Sequence, residues 1–130
     1  MTATERAVEL VRIAASAAAD KLAADIIAYD VSDQLVITDA FLLCSAANDR
    51  QVRAVIDEIE DKLQKAGAKP ARREGEREGR WVLLDYIDFV IHVQHAEERV
   101  YYALERLWKD CQEIPLPEVV AAGQSARERH

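Results

Sequence analysis

The loops that hold phosphate are missing from this chain. Its four glycines never assemble into Gly-x-x-x-x-Gly-Lys-Ser/Thr or Gly-x-Gly-x-x-Gly, the patterns whose backbone N–H groups cradle nucleotides. There are only two cysteines, Cys44 and Cys111, far apart in sequence. With no Cys-x-x-Cys and no His-Glu-x-x-His, a zinc site has no support. Cys44 lies in an apolar run and reads as a buried reduced thiol. No Gly-x-Ser-x-Gly turn occurs, and no Ser or Cys has a recognisable base partner, so nucleophilic catalysis finds no motif. No apolar run reaches the ~20 residues that span a bilayer, so no membrane partner is expected. The N-terminus opens on Thr and Glu rather than a basic and then apolar stretch. No secretion signal is expected from it, and the cytoplasm is the expected compartment. Positive charge is also short: 17 Lys and Arg stand against 24 Asp and Glu, a net charge of −7. Proteins that grip nucleic acid through its phosphates carry the opposite excess. An acidic surface suits a basic protein partner instead, and attraction would speed their encounter.

What is present fits one soluble globular domain of 130 residues, half of them hydrophobic and 32% charged. The residues from Thr2 to about Ala19 have helical spacing of Ala7, Leu10, Val11, Ala14 and Ala18, with Thr2 and Glu5 as a capping box. Ile26 to Val31 reads as a strand. Ser32-Asp33 marks a turn, and Val36 to Ser45 reads as a second strand. A helix from Asp49 to Ala66 is capped by Asn48, ended by Gly67, and striped by Val52, Val55, Ile56, Ile59 and Leu63. Pro70 to Arg80 is a charged connection, with a short edge strand near Pro70 to Arg73. Two apolar runs then flank Asp85-x-x-Asp88, from Trp81 to Val93, as neighbouring antiparallel strands. They scarcely alternate, so both faces are expected to be covered. A last helix spans about Ala96 to Asp110, and Pro115 and Pro117 end regular structure. The order predicts an α/β (α+β) fold, a mixed sheet of four to five strands packed with helices. The expected domain is 1–112, helix 1–20 and core 21–112, with a flexible tail over 113–130.

Asp85 and Asp88 are the candidate carboxylate pair. They also suit a hairpin loop, where Asp hydrogen-bonds the turn backbone. A metal would need a third ligand, Asp39 or His92. His92 ends a strand and His95 starts a helix, so they share no helical face. Ser45 to Asn48 lies where α/β proteins bind phosphate, but capping explains it without a ligand. Trp81 beside the charged loop, and Tyr86 in the hairpin, can each be core or an interface anchor.

These residues together carry a resemblance. The segments Ile26 to Val31, Ile37-Thr38-Asp39, Asn48 to Val52 and Glu74-Gly75 take part. So do Trp81 to Tyr86 with Asp88 and His92, and Arg99-x-x-Tyr102-x-Leu104-Glu105-x-Leu107-Trp108. Across Lys21 to Gln112 the chain resembles the iojap family, whose bacterial members are ribosomal silencing factors. The resemblance implies a nucleotidyltransferase-like fold without that activity. Such enzymes use a Gly-Ser pair and Asp-x-Asp, whereas here Ser45 precedes Ala46 and the aspartates are spaced Asp-x-x-Asp. It further implies binding to the large ribosomal subunit through its fourteenth protein. Joining of the small subunit would be blocked sterically when nutrients are scarce, with no cofactor. Interface roles carry over to Trp81, Asp85, Tyr86 and Asp88, with Glu74, His92 and Arg99 as supporting candidates. Family members often have Gly where this chain has Ile87, Tyr at Ala40 and Gly at Ala46. Two other readings stay open: a metal-dependent nucleotidyl- or phosphoryl-transfer enzyme using Asp85 and Asp88, and a homodimer formed through the apolar sheet.

Overall fold

A computed structural model describes residues 3–35, 37–75, 81–96 and 110–120. The first helix, α1, spans Glu5–Asp20. Its cap is Thr4, in extended conformation, whose hydroxyl accepts from the Ala7 N–H at 3.2 Å. The expected box of Thr2 and Glu5 is not used, because Glu5 is itself the first helical residue and cannot sit three places inside the cap. Thr2 lies outside the described residues. The donors ahead of the helix are met by carboxylates: Ala3 N–H donates to Asp30 at 2.9 Å and Thr4 N–H to Asp39 at 3.1 Å. Negative charge there also favours the positive end of the helix dipole. The buried face is Ala7, Leu10, Val11, Ala14, Ala15, Ala17 and Ala18. Small side chains bring its backbone close to the elements beneath it.

The second helix, α2, spans Asp49–Lys65 and buries Val52, Val55, Ile56, Ile59 and Leu63, the stripe expected from the sequence. Each fully buried aliphatic side chain contributes roughly 1.5–3 kcal/mol. Asn48 caps it, accepting from Gln51 N–H at 2.9 Å. At the other end Gly67 takes φ +89°. Its N–H reaches Gln64 O and that of Ala68 reaches Leu63 O, the paired bonds that close a helix over a left-handed residue. Gln51 also ties two loops together. Its amide donates to the carbonyls of Lys21 and Leu22 at 3.0 and 3.1 Å and accepts from Ala47 N–H.

Among the described residues six strands form one mixed sheet, one more than the upper expectation: β1 (Ala24–Asp30), β2 (Ala40–Ala46), β3 (Arg72–Gly75), β4 (Trp81–Asp85), β5 (Phe89–His95) and β6 (Gln112–Glu113). Their order is β3-β4-β5-β2-β1-β6. Only β2 and β5 run parallel; the other neighbours are antiparallel. The extra strand, β6, is a two-residue pairing with Tyr29 and Asp30, too short to leave a hydrophobic pattern. Both helices pack on one sheet face, over Ala28, Leu42, Cys44, Val82, Leu84, Ile91 and Val93.

Three further expectations meet the structure differently. The second strand starts at Ala40, not Val36, because residues 31–35 turn back through Gln34 and Leu35 N–H bonds to Val31 O. On the face away from α1 and α2, Tyr29, Val31, Phe41 and Leu43 form a second buried cluster with Ile27, Val90 and Cys111 packed against it, so coverage on both faces holds around β2 and falls short at β4. β4 alternates strictly, with Val82 and Leu84 buried and Trp81, Leu83 and Asp85 half-buried. Packing also continues past residue 112: Ile114 and Val120 are buried in the main core, and Ile114 N–H donates to Ala28 O at 2.8 Å. The expected last helix lies mostly outside the described residues. Cys44 and Cys111 are both reduced thiols, the first buried.

Asp30 links this framework to pH. Burial pushes its carboxyl up, but the Ser32 hydroxyl and the N–H groups of Ala3 and Ser32 outweigh that and hold it below the ordinary 3.8. A folded-state value below the unfolded one makes ionised Asp30 stabilising above the unfolded value. That contribution is lost as pH falls through the lowered folded value. Asp30→Asn is therefore expected to be less stable than wild type at neutral pH, with the gap closing in acid below 3.8. Urea denaturation across pH checks this; a gap that does not change with pH would refute it.

Candidate functional site

The alternation of β4 and β5 sorts the sequence-predicted residues onto opposite faces of the sheet. On the face away from α1 and α2, the pairing sets Leu83 opposite His92 and His92 opposite Leu43, with Ile27 beyond. The next row is Asp85, Val90, Phe41 and Tyr29. Trp81 stands opposite Gln94. His92 is the hub of an aromatic group on this face. The Trp81 ring meets it edge-on at 5.6 Å between centroids and 78°, and Phe41 does so at 6.4 Å and 81°. Such edge-to-face pairs contribute about 0.5–1.5 kcal/mol beyond burial. Trp81 is thus fixed at its ring yet only half-buried. That combination suits a recognition anchor, since little entropy remains to be lost on binding.

One margin of this face is acidic and ordered. Arg72 on edge strand β3 bridges Glu74 at 3.4 Å and Asp85 at 3.4 Å. These are solvent-facing pairs and add little stability. Asp85 also accepts from the Ile87 N–H at 2.8 Å, the turn-holding role that Asp side chains favour. Asp88 projects from the hairpin loop, exposed, while its carbonyl accepts from the N–H of Asp39 at 2.7 Å and of Ala40 at 3.3 Å. The structure thus gathers Trp81, Asp85, Glu74 and His92 on one face, with Asp88 at its end. Arg99 lies outside the described residues. Sequence reading passed over Leu83 and Val90, which are half-buried on the same face, and Phe41, which is buried in a cluster with Tyr29, Val31 and Leu43. The period of two counted from Trp81 and from His92 was the signal that could have found Leu83 and Val90.

Tyr86 is a correction. It was expected in the exposed hairpin, but it continues the Val82-Leu84-Tyr86 register onto the helix side and is only 8% exposed. Its ring stacks on Phe89 at 4.7 Å and 6°. Its hydroxyl is buried without a hydrogen-bond partner among the described residues. Burial, with the nearby Glu60 charge, pushes it up to about 12. Ile87, next in the loop, takes φ +73° and is exposed. This left-handed conformation is strained for a β-branched residue.

Among the described residues no group of three His, Cys, Asp or Glu side chains gathers to hold a metal, and no helix is long and apolar enough to cross a membrane. The arrangement sets the half-buried Trp81 ring near the acidic margin of Glu74 and Asp85.

Comparison with known proteins gives a consistent result. Residues 4–130 match the family described as "Ribosomal silencing factor during starvation". The chain is 45% identical over 101 residues to the protein of Bacillus subtilis (strain 168) named "Ribosomal silencing factor RsfS", covering 78% of this chain and 86% of that one. A crystal structure of a Chromobacterium violaceum protein superposes with a TM-score of 0.74 at 34% identity, covering 78% of this chain and 84% of the other. One from Bacillus halodurans gives 0.72 at 37% identity, covering 83% and 98%. Chloroplast proteins named Iojap are among the more distant relatives.

The buried hydroxyl of Tyr86, without a partner among the described residues, costs stability that a phenyl ring would not. Tyr86→Phe is expected to leave the fold intact and raise stability by about 1 kcal/mol, read as a higher denaturation midpoint. A fall in stability of similar size would show that the hydroxyl is satisfied.

Proposed function

The chain belongs to the family of ribosomal silencing factors, and from that membership we propose that it binds the large ribosomal subunit through that subunit's fourteenth protein and blocks joining of the small subunit. Translation would fall when nutrients are limiting. The relatives are named for silencing and not for a reaction, and a steric block needs neither catalysis nor a cofactor. Acting on ribosomes places the protein in the cytoplasm under this reading.

The observation that most supports it is the half-buried β4 side of the sheet face away from α1 and α2. Trp81 is held edge-on by His92, half-buried, beside the Asp85 and Glu74 carboxylates. A rigid aromatic anchor with an acidic margin is complementary to a basic protein surface carrying an apolar recess. On this reading Trp81, Asp85 and Asp88 make contact, and Glu74 contributes charge at the edge. His92 positions the Trp81 ring. Tyr86, being buried, acts through the hairpin it packs beneath, and Arg99 stays a supporting candidate from the family resemblance. A second copy pairing through the same face would compete with the ribosome.

A metal-dependent transfer reaction centred on Asp85 and Asp88 has less support. Asp85 is engaged by the Ile87 N–H and Arg72, and neither Asp39 nor His92 joins the pair as a metal-holding group among the described residues.

Co-sedimentation with separated subunits, paired with a joining assay, tests the proposal. The protein is expected to pellet with large subunits alone and to inhibit joining. Trp81→Ala is expected to remain folded and to bind more weakly by ~2 kcal/mol or more, about thirtyfold. Unfolding of that variant would make Trp81 a core residue, and pelleting with small subunits would end the proposal.

A further inference from the structure

The end of the sheet where β4 turns into β5 carries apolar surface that the fold does not use. Ile37 is 70% exposed and Ile87 is 53% exposed. They sit on different loops, the one between β1 and β2 and the β4–β5 hairpin, but hydrogen bonds join the two. Thr38 Oγ1 donates to the Ile87 carbonyl at 3.1 Å, and Asp39 N–H donates to the Asp88 carbonyl at 2.7 Å. The isoleucines are therefore presented from one connected tip.

Ile87 adds a second observation. Its φ of +73° is a conformation that glycine or asparagine adopts with less strain. A strained backbone is commonly repaid by packing of the side chain, yet this side chain is mostly in solvent. Strain kept at an exposed apolar residue points to a use outside the chain. The surroundings indicate what kind of surface meets it. Asp39, Asp85 and Asp88 flank the two loops, and the guanidinium of Arg72 is already held by Glu74 and Asp85. Carboxylates in that position repel phosphates, and an isoleucine cannot hydrogen-bond a base edge, so nucleic acid is a poor fit.

We propose that Ile37 and Ile87 form an apolar anchor, flanked by carboxylates, that docks into an apolar recess between cationic side chains of a basic protein on the large ribosomal subunit. The inference rests on the silencing reading and deepens it. It adds the tip of the hairpin to the sheet face around Trp81 and specifies the chemistry of the partner surface.

The test is a titration of large subunits with the full-length protein as wild type, Ile37→Ser and Ile87→Gly, with urea denaturation of each. Ile87→Gly is expected to unfold at a midpoint equal to or above wild type, because the turn is relieved, and yet to bind about tenfold more weakly. Ile37→Ser is expected to keep its stability and weaken binding similarly. Wild type that pellets with large subunits, while both variants bind within about twofold of it, would overturn the anchor and leave the silencing reading standing. Wild type that fails to pellet would end both. Equal weakening of binding to ribosomal RNA stripped of protein would assign the tip to RNA and overturn the proposal. So would a change from dimer to monomer in analytical ultracentrifugation with ribosome binding unchanged, which would assign the tip to a second copy.

Discussion

The parallel pairing of β2 with β5 is the contact on which the rest of the molecule depends. Seven residue pairs run from Ala40 and Phe89 to Ala46 and His95, and every residue of β2 is buried. This seam joins the N-terminal half, built of α1, β1 and β2, to the hairpin of β4 and β5. The Asp88 carbonyl, accepting from Asp39 and Ala40, pins its start. A slip of one place would turn His92 under the helices and bring Ile91 and Val93 outward. The aromatic group of Trp81, His92 and Phe41, contributed by three strands, exists only in the observed register.

The sheet is filled differently on its two faces. Its helix side is filled with aliphatic and alanine side chains from two helices, and the other side carries the smaller buried cluster of Tyr29, Val31, Phe41 and Leu43. Its other side has room for residues that are fixed without being sealed, such as Trp81. Charge follows the division. The hairpin end and the β3 edge carry Glu74, Asp85 and Asp88, and these charged groups add little to stability where they meet solvent.

Much of the fold was legible because it followed local rules. The α2 stripe, its Asn48 cap and its Gly67 ending were all readable, as was the hairpin around Asp85 and Asp88. The failures have physical causes. Val36 to Thr38 is β-branched, but a turn set by Val31 claims the chain before Ala40. Thr2 and Thr4 offer the same cap chemistry, and only the position of the first helical turn decides between them. Tyr86 was misplaced because loop membership was read before parity. Counting by twos from Val82 sends its ring inward. The strand β6 is too short for any pattern. At the candidate site, Trp81, Asp85 and His92 were identifiable by residue type and resemblance. Ile37 and Ile87 were not, because exposure and a positive φ are properties of the folded backbone that an isoleucine does not announce.

The central seam also sets a schedule. During synthesis β2 leaves the ribosome well before β5, since 42 residues lie between Ala46 and Phe89. At usual elongation rates the delay is on the order of seconds. Through that interval β1 and α2 can form, while one edge of the most apolar strand in the chain waits for its partner. The nascent protein therefore emerges with its stickiest surface open, and closes it only when its second half arrives.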